Sequence, residues 1–177
     1  MATVLKVAST TTVDRFDALF TLFYPQLFGL VYRVLGDRME TEDTLQETFL
    51  KLADEPQLQS RPDPEVSAWL RRVSLNLAFN RIRSERRASA RTERAARLEP
   101  PELHESDDAE RREQQEEVRR ALAELPQRQR ECLLLRHSGY SYVEIAATLE
   151  IALGSVGVLL SRAERAFSVI YRRHAQA

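Results

Sequence analysis

The stretch from Ser141 to Phe167, SYVEIAATLEIALGSVGVLLSRAERAF, holds two amphipathic patterns separated by a gap that has room for little more than a turn. That layout limits the folds open to the chain. Ser141 followed by Glu144 is a capping-box sequence, in which the hydroxyl takes a first-turn amide and the carboxylate reaches back to the cap. Ile145, Ala146 and Leu149 then recur on one helical face. The periodicity lapses through Glu150 to Gly154, and Gly154 suits a tight turn. Val156, Leu159, Leu160, Ala163, Phe167 and Ile170 follow as one continuous apolar stripe. The small residues Ala146 and Ala147 allow the two helices to cross closely. Two explanations share this pattern: a helix-turn-helix whose second helix enters a DNA major groove, or an antiparallel pair in any helical bundle.

The remaining composition favours helices. Charged residues make up 30% and hydrophobic residues 43%, with only 5 glycines and 7% aromatics, which argues against a sandwich or barrel. No apolar run is expected to span a bilayer. The start, MATVLKVASTTTVDRF, has neither a basic n-region nor a long h-region, so no signal peptide is expected. A single cysteine, Cys132 in ECLLLRH, reads as a small buried hydrophobe, and a cytoplasmic location follows by default. Net charge is −1, yet Arg81, Arg83, Arg86, Arg87, Arg91, Arg94 and Arg97 form a basic block directly before an acidic one from Glu99 to Glu110. A balanced total can therefore hide a local site for an anionic partner.

In chain order, Thr12 is positioned to cap a first helix carrying Phe16, Leu19, Phe20 and Phe23, after a frayed start. Pro25 should interrupt or kink it, and Leu27, Leu30, Val31 and Val34 continue it toward Gly36. Thr41 is expected to open the next helix, with Leu45, Phe49 and Leu52 inward and Asp43, Gln46, Glu47 and Leu50 outward. That outward side is either a solvated polar face or a docking face for a basic partner. Glu55 to Pro64 reads as a loop long enough to be functional. The helix after it buries Val66, Trp69, Leu70, Val73 and Leu77 on one side and Leu75, Phe79 and Ile82 on another. Arg72, Asn76, Asn80, Arg83 and Arg87 share the strip between, where Arg and Asn can meet phosphates and base edges. Trp69 reads as a core anchor. Residues 88–109 lack a sustained apolar face and read as a flexible linker. The fold class is thus all-α: a helical domain over 12–87, the linker, and a second domain over 110–177 that contains the helix-turn-helix. In that domain Val118, Ala121, Leu122 and Leu125 form a stripe ended by Pro126. Cys132 to Leu135 are apolar, and Gly139 is a C-cap.

Catalytic chemistry is not assembled by these residues. His104, His137 and His174 have no partner at metal-ligand spacing. No Gly-rich phosphate loop is present, and no nucleophile, base and orienter can be grouped. Neither an enzyme nor a metal or other cofactor is expected.

Three segments carry a family resemblance. TEDTLQETFLKLADE resembles the polymerase-binding helix of the extracytoplasmic-function (ECF) sigma factors of bacterial RNA polymerase. WLRRVSLNLAFNRIRSERR resembles the helix that follows it in those proteins. ALAELPQRQRECLLLRHSGYSYVEIAATLEIALGSVGVLLSRAERAF resembles their promoter-reading C-terminal domain. The resemblance implies that Asp43, Gln46 and Glu47, with Phe49 packed beneath, bind the coiled-coil of the largest polymerase subunit. It implies that Asn76, Asn80 and the loop before Trp69 meet the minus-ten element; Arg83, on the same basic strip, is a further candidate for DNA contact. The second domain would read the minus-thirty-five element through the helix bearing Ser155, Gly157, Val158, Ser161, Arg162 and Arg165. Core polymerase, promoter DNA and an anti-sigma protein are the implied partners.

One departure stands out. Where many members carry Lys or Arg early in the recognition helix, this chain has Gly157 and Leu159, and basic groups return only at Arg162 and Arg165. Gly157 within a helix costs about 1 kcal/mol relative to Ala. Backbone amides at the helix start can take a phosphate instead, and a glycine lets backbone approach DNA. Two other functions fit parts of the chain: a helix-turn-helix regulator acting without polymerase, and a sigma-like protein-interaction module.

Overall fold

The structure, a computed structural model, describes residues 2–92, 107–174 and 176, with side chains for 14–84, 113–174 and 176. Among the described residues every regular element is a helix. The order is α1 (Ala2–Leu35), α2 (Arg38–Ala53), α3 (Pro56–Gln59), α4 (Asp63–Thr92), α5 (Asp107–Glu124), α6 (Gln127–His137), α7 (Tyr142–Leu149) and α8 (Leu153–His174).

Helix α1 starts at Ala2, so Thr12 lies inside it and does not cap it, and the expected frayed start is helical. Once a helix is nucleated, each further residue adds a hydrogen bond at little cost. The packed part of the helix is the stripe Leu19, Phe23, Leu27, Leu30, Val31 and Val34, all buried. Pro25 does not interrupt it. The proline removes the donor that Thr21 would have used, but both residues are on the exposed side, where water can serve the carbonyl. Asp14–Leu35 is long and apolar enough, at mean hydropathy 1.3, to cross a membrane by length and composition, contrary to the sequence expectation. Its apolar stripe is spent on the core of the first half of the chain.

Helix α2 begins earlier than Thr41. Asp37 is its N-cap and accepts the Glu40 amide at 2.8 Å. Thr41 is buried, with Oγ1 donating to the Asp37 carbonyl at 2.6 Å. The inward stripe Leu45, Phe49 and Leu52 is as expected. Between α1 and α2, Gly36 takes φ +74°, and the Arg119 guanidinium of α5 lies where a Cβ would be.

The expected loop over 55–64 contains one helical turn, α3, and α4 already starts at Asp63. Helix α4 packs against α1 and α2 on one side and α7 on the other. This two-sided burial is what the two apolar stripes predicted, with Val66, Leu70, Leu75 and Phe79 buried and Trp69, Val73, Leu77 and Ile82 half-buried. Helix α4 also runs to Thr92, five residues past Arg87, and α5 begins at Asp107. Helix therefore enters both ends of the expected linker; residues 93–106, with the acidic positions Glu99, Glu102 and Glu105, lie outside the described residues.

In the second half, Gly139 takes φ +89° after α6, the conformation that favours glycine at a helix end. The capping box of α7 is formed: the Glu144 amide donates to Ser141 Oγ at 3.3 Å and the Ser141 amide donates to Glu144 Oε2 at 2.9 Å. Helices α7 and α8 meet at 94°. The turn between them does not use Gly154. Glu150 adopts the left-handed conformation, φ 53° and ψ 50°, and the Ile151 amide closes back on the Ala146 carbonyl at 3.1 Å. Gly154 sits in the first turn of α8 instead. Ala146 is buried at the crossing, whereas Ala147 is exposed and contributes nothing to it. Val156, Leu160 and Ala163 are buried, with Leu159, Phe167 and Ile170 packed beside them. Cys132 is fully buried beneath α8, with Sγ 3.9 Å from the Val156 carbonyl, and burial pushes its thiol up to about 11.

One continuous hydrophobic cluster runs through both halves of the chain. Its polar stitching is made mostly by arginine. Arg71 of α4 is 4% exposed; its Nε donates to Thr148 Oγ1 at 2.9 Å, and its guanidinium lies 4.6 Å from the Tyr140 ring centroid and 3.9 Å from Glu144. Arg72 pairs with Glu150, the left-handed residue of the helix-turn-helix turn. Arg130 stacks 3.8 Å over Phe79, and Arg33 Nη1 donates to Ser138 Oγ at 2.8 Å.

Candidate polymerase and DNA interfaces

On α2 the four candidate polymerase contacts occupy one region at two depths. Phe49 is buried and touches Phe16, Phe20 and Tyr24 of α1, its ring centroid 4.7 Å from that of Phe20. Asp43 and Gln46 are exposed above it and Glu47 is half-exposed. The carboxylates are already engaged locally: Arg81 of α4 binds Glu40 at 2.6 Å and approaches Asp43 to 4.0 Å, and Lys51 pairs with Glu47 at 3.5 Å. The Lys51–Glu47 pair and the 4.0 Å approach of Arg81 to Asp43 are surface contacts that contribute little to stability. The face can therefore accept basic side chains from a partner without a large cost.

On α4, Asn76, Asn80 and Arg83 are exposed on one strip, and Arg83 Nη2 donates to Asn80 Oδ1 at 2.8 Å. Arg72 belongs to the same strip by sequence, but its pair with Glu150 turns it toward the second half. The side chain of Arg87 lies outside the described residues. On α8, Ser155, Val158, Arg162 and Arg165 are exposed, and Gly157 and Ser161 are half-buried. Arg165 Nη2 donates to Ser161 Oγ at 2.9 Å. Leu159, which stands where a basic residue was noted as missing, packs against the core. A Cβ added at Gly157 would lie 3.8 Å from the Tyr142 ring, so the glycine is not required by crowding inside the protein. The α4 and α8 sets are not brought together: α7 packs against both helices.

Several residues that shape these surfaces were missed at the level of sequence. Arg71 is buried, and burial lowers its pKa, with nearby Tyr140 and Glu144 opposing the shift. Burial in turn raises the pKa of Tyr140. The available signal was weak, because an arginine on a long helix is normally solvated and Thr148 is 77 positions away. Arg15 and Gln59, which grip the α3 turn, were missed for the same reason. No cluster of His, Cys, Asp and Glu among the described residues could hold a metal ion.

Comparison with known proteins places the chain in a family. Residues 19–88 match the sigma-70 region 2 family and residues 115–167 match sigma-70 region 4. The ECF RNA polymerase sigma factor SigK of Mycolicibacterium vanbaalenii is 32% identical over 147 residues, covering 77% of this chain and 74% of that protein. This chain belongs to the ECF sigma factors of RNA polymerase. A second relative, the RNA polymerase sigma-H factor of Pseudomonas aeruginosa, is 30% identical over 163 residues, covering 85% and 83% of the two chains. Among solved structures, the sigma factor RpoE in complex with the anti-sigma factor NepR from Bartonella quintana has a TM-score of 0.56 at 23% identity, covering 89% of this chain and 96% of that one. CnrH in complex with the cytosolic domain of CnrY has a TM-score of 0.59 at 22% identity, covering 89% and 88%. These likenesses carry the fold. As an ECF sigma factor the chain directs transcription initiation by RNA polymerase. Region 2 spans α2 and most of α4, and region 4 spans the helix-turn-helix.

Proposed function

We propose that this sigma factor divides its work among three surfaces. The α2 face of Asp43, Gln46 and Glu47, supported from beneath by Phe49, binds the core polymerase. Asn76, Asn80, Arg83 and the turn around α3 meet the minus-ten element. Ser155, Gly157, Val158, Ser161, Arg162 and Arg165 on α8 meet the minus-thirty-five element. The observation that carries this reading is that none of the exposed-face candidates is consumed by the core, while the stripes opposite them are. Each helix spends one side on packing and leaves the side with binding chemistry to solvent.

The chain acts as a non-catalytic subunit in the cytoplasm, with its first domain over 12–87 and its second over 110–177. An anti-sigma protein belongs to the same reading, since both structural neighbours are complexes with such partners or with a cytosolic domain. Early α8 offers small and apolar side chains, so phosphate contacts and DNA shape carry much of the upstream affinity.

The test is run-off transcription with purified core polymerase on genomic fragments, beside a pull-down of core by the wild-type chain and by Asp43→Lys/Glu47→Lys. Specific transcripts from the wild-type chain and loss of core binding in the variant, with an unchanged helical CD spectrum, are expected. Equal core binding by both chains overturns the α2 assignment. DNA binding that is indifferent to core polymerase would favour the free-standing regulator.

A further inference from the structure

The turn between α2 and α4 is held far more firmly than a connection of its length requires. It is gripped from outside by one side chain, Arg15 of α1. Arg15 Nε donates to the Gln59 carbonyl at 3.0 Å, and Nη2 donates to the Arg61 carbonyl at 3.2 Å and to Asp63 Oδ1 at 2.6 Å. A single planar guanidinium thus fixes two backbone carbonyls and the first residue of α4. Only an arginine has donors spread widely enough to do this from one position. From inside, Gln59 is 3% exposed and its Nε2 donates to the Leu52 and Ala53 carbonyls at 2.9 and 3.3 Å, closing the end of α2. Between these grips Gln57, Ser60, Arg61 and Pro62 face solvent.

A surface loop ordinarily samples many shapes, and reading a base through it would mean ordering it on binding. Here the ordering is built in. We propose that Arg15 is a positioning residue for promoter reading: it holds the 55–62 turn in the one shape that discriminates among bases of the downstream element. The proposal rests on the reading above that this turn meets the minus-ten element. Arg15 itself touches no DNA in this scheme; it acts through the carbonyls of Gln59 and Arg61.

The experiment uses the full chain with core polymerase on a promoter fragment recovered by run-off with the wild-type protein, and on its single-base variants across the downstream element. Open-complex formation is read by permanganate footprinting. Arg15→Ala is expected to reduce the preference for the native base over its substitutes about tenfold, or ~1.4 kcal/mol, with core affinity unchanged. Arg15→Lys, which keeps the charge near Asp63 but not the fork, should fall between. Asp63→Asn should flatten the preferences in the same way, and the Arg15→Ala/Asp63→Asn pair should be less than additive. If Arg15→Ala lowers opening equally on every base, or fails to fold while Asp63→Asn leaves the preferences intact, the proposal is overturned. A control replaces Gln57 and Ser60 with alanine. If that control leaves the base preferences untouched, the reading of the turn itself fails, a result distinct from failure of Arg15 alone.

Discussion

Replacing Arg71 with alanine should loosen the docking of the helix-turn-helix onto α4. The side chain is 4% exposed and makes a hydrogen bond to Thr148, a cation–π contact with Tyr140 and a long approach to Glu144. A hydrogen bond involving a charged group is worth about 1.5–3 kcal/mol. A desolvated cation–π contact adds about 1–2 kcal/mol. The pairing with Glu144 adds little, because that carboxylate is 46% exposed. Against these gains stands the cost of burying the guanidinium, which burial reveals by lowering its pKa. A net loss of about 2 kcal/mol is expected, or roughly thirtyfold in the ratio of docked to undocked forms. Energy transfer between dyes on Glu55→Cys and Arg172→Cys reads that ratio, since both sites are exposed and native Cys132 is buried. Arg71→Lys should not restore docking, as ammonium lacks the planar face that stacks on Tyr140. An unchanged transfer distribution in Arg71→Ala, with helical content intact, would refute the reasoning.

Three further outcomes are expected. Ser141→Ala should cost about 1 kcal/mol by removing the α7 cap, measured by urea denaturation. Hydrogen bonds from the Ser141 amide and hydroxyl hold the Glu144 carboxyl below its ordinary value of 4.5. Its folded-state pKa is therefore depressed, so the cap's contribution is present above about pH 4.5 and is lost as pH falls through the lower folded value; Ser141→Ala, which removes the hydroxyl but keeps the amide, should flatten that acid limb in part. Cys132, with its thiol pushed up to about 11, should resist iodoacetamide at pH 8 in the native protein and react on unfolding. Arg162→Ala should weaken promoter binding across sequences and reduce the salt slope by about one phosphate contact in fluorescence anisotropy.

Much of this was legible in the sequence wherever an apolar stripe or a cap spans a few neighbouring residues. The α7 capping box, the α8 stripe and the two buried sides of α4 follow from local spacing, and the exposed candidates on α2 and α8 follow as their complements. Structure and local pattern part where two local signals compete. Asp37 and Thr41 can both start α2, and the structure uses Asp37 while turning Thr41 onto its carbonyl. Gly154 is the residue a turn favours, yet Glu150 takes the left-handed conformation, where its side chain also pairs with Arg72. The contacts that no local pattern can announce are the long-range ones made by polar side chains. Arg15 meets residues 44 to 48 positions away, and Arg71 a threonine 77 away.

The position of Trp69 has a spectroscopic consequence. It is the single tryptophan of the chain and is half-buried on α4, the helix packed against both halves. Its emission therefore follows the solvation of the first half and its junction, while far-UV circular dichroism follows helices everywhere. If the shared hydrophobic cluster makes the chain one cooperative unit, the two signals will trace a single denaturation curve. If the Arg71 stitching is cut, the fluorescence midpoint should separate from that of the helical signal, turning one transition into two.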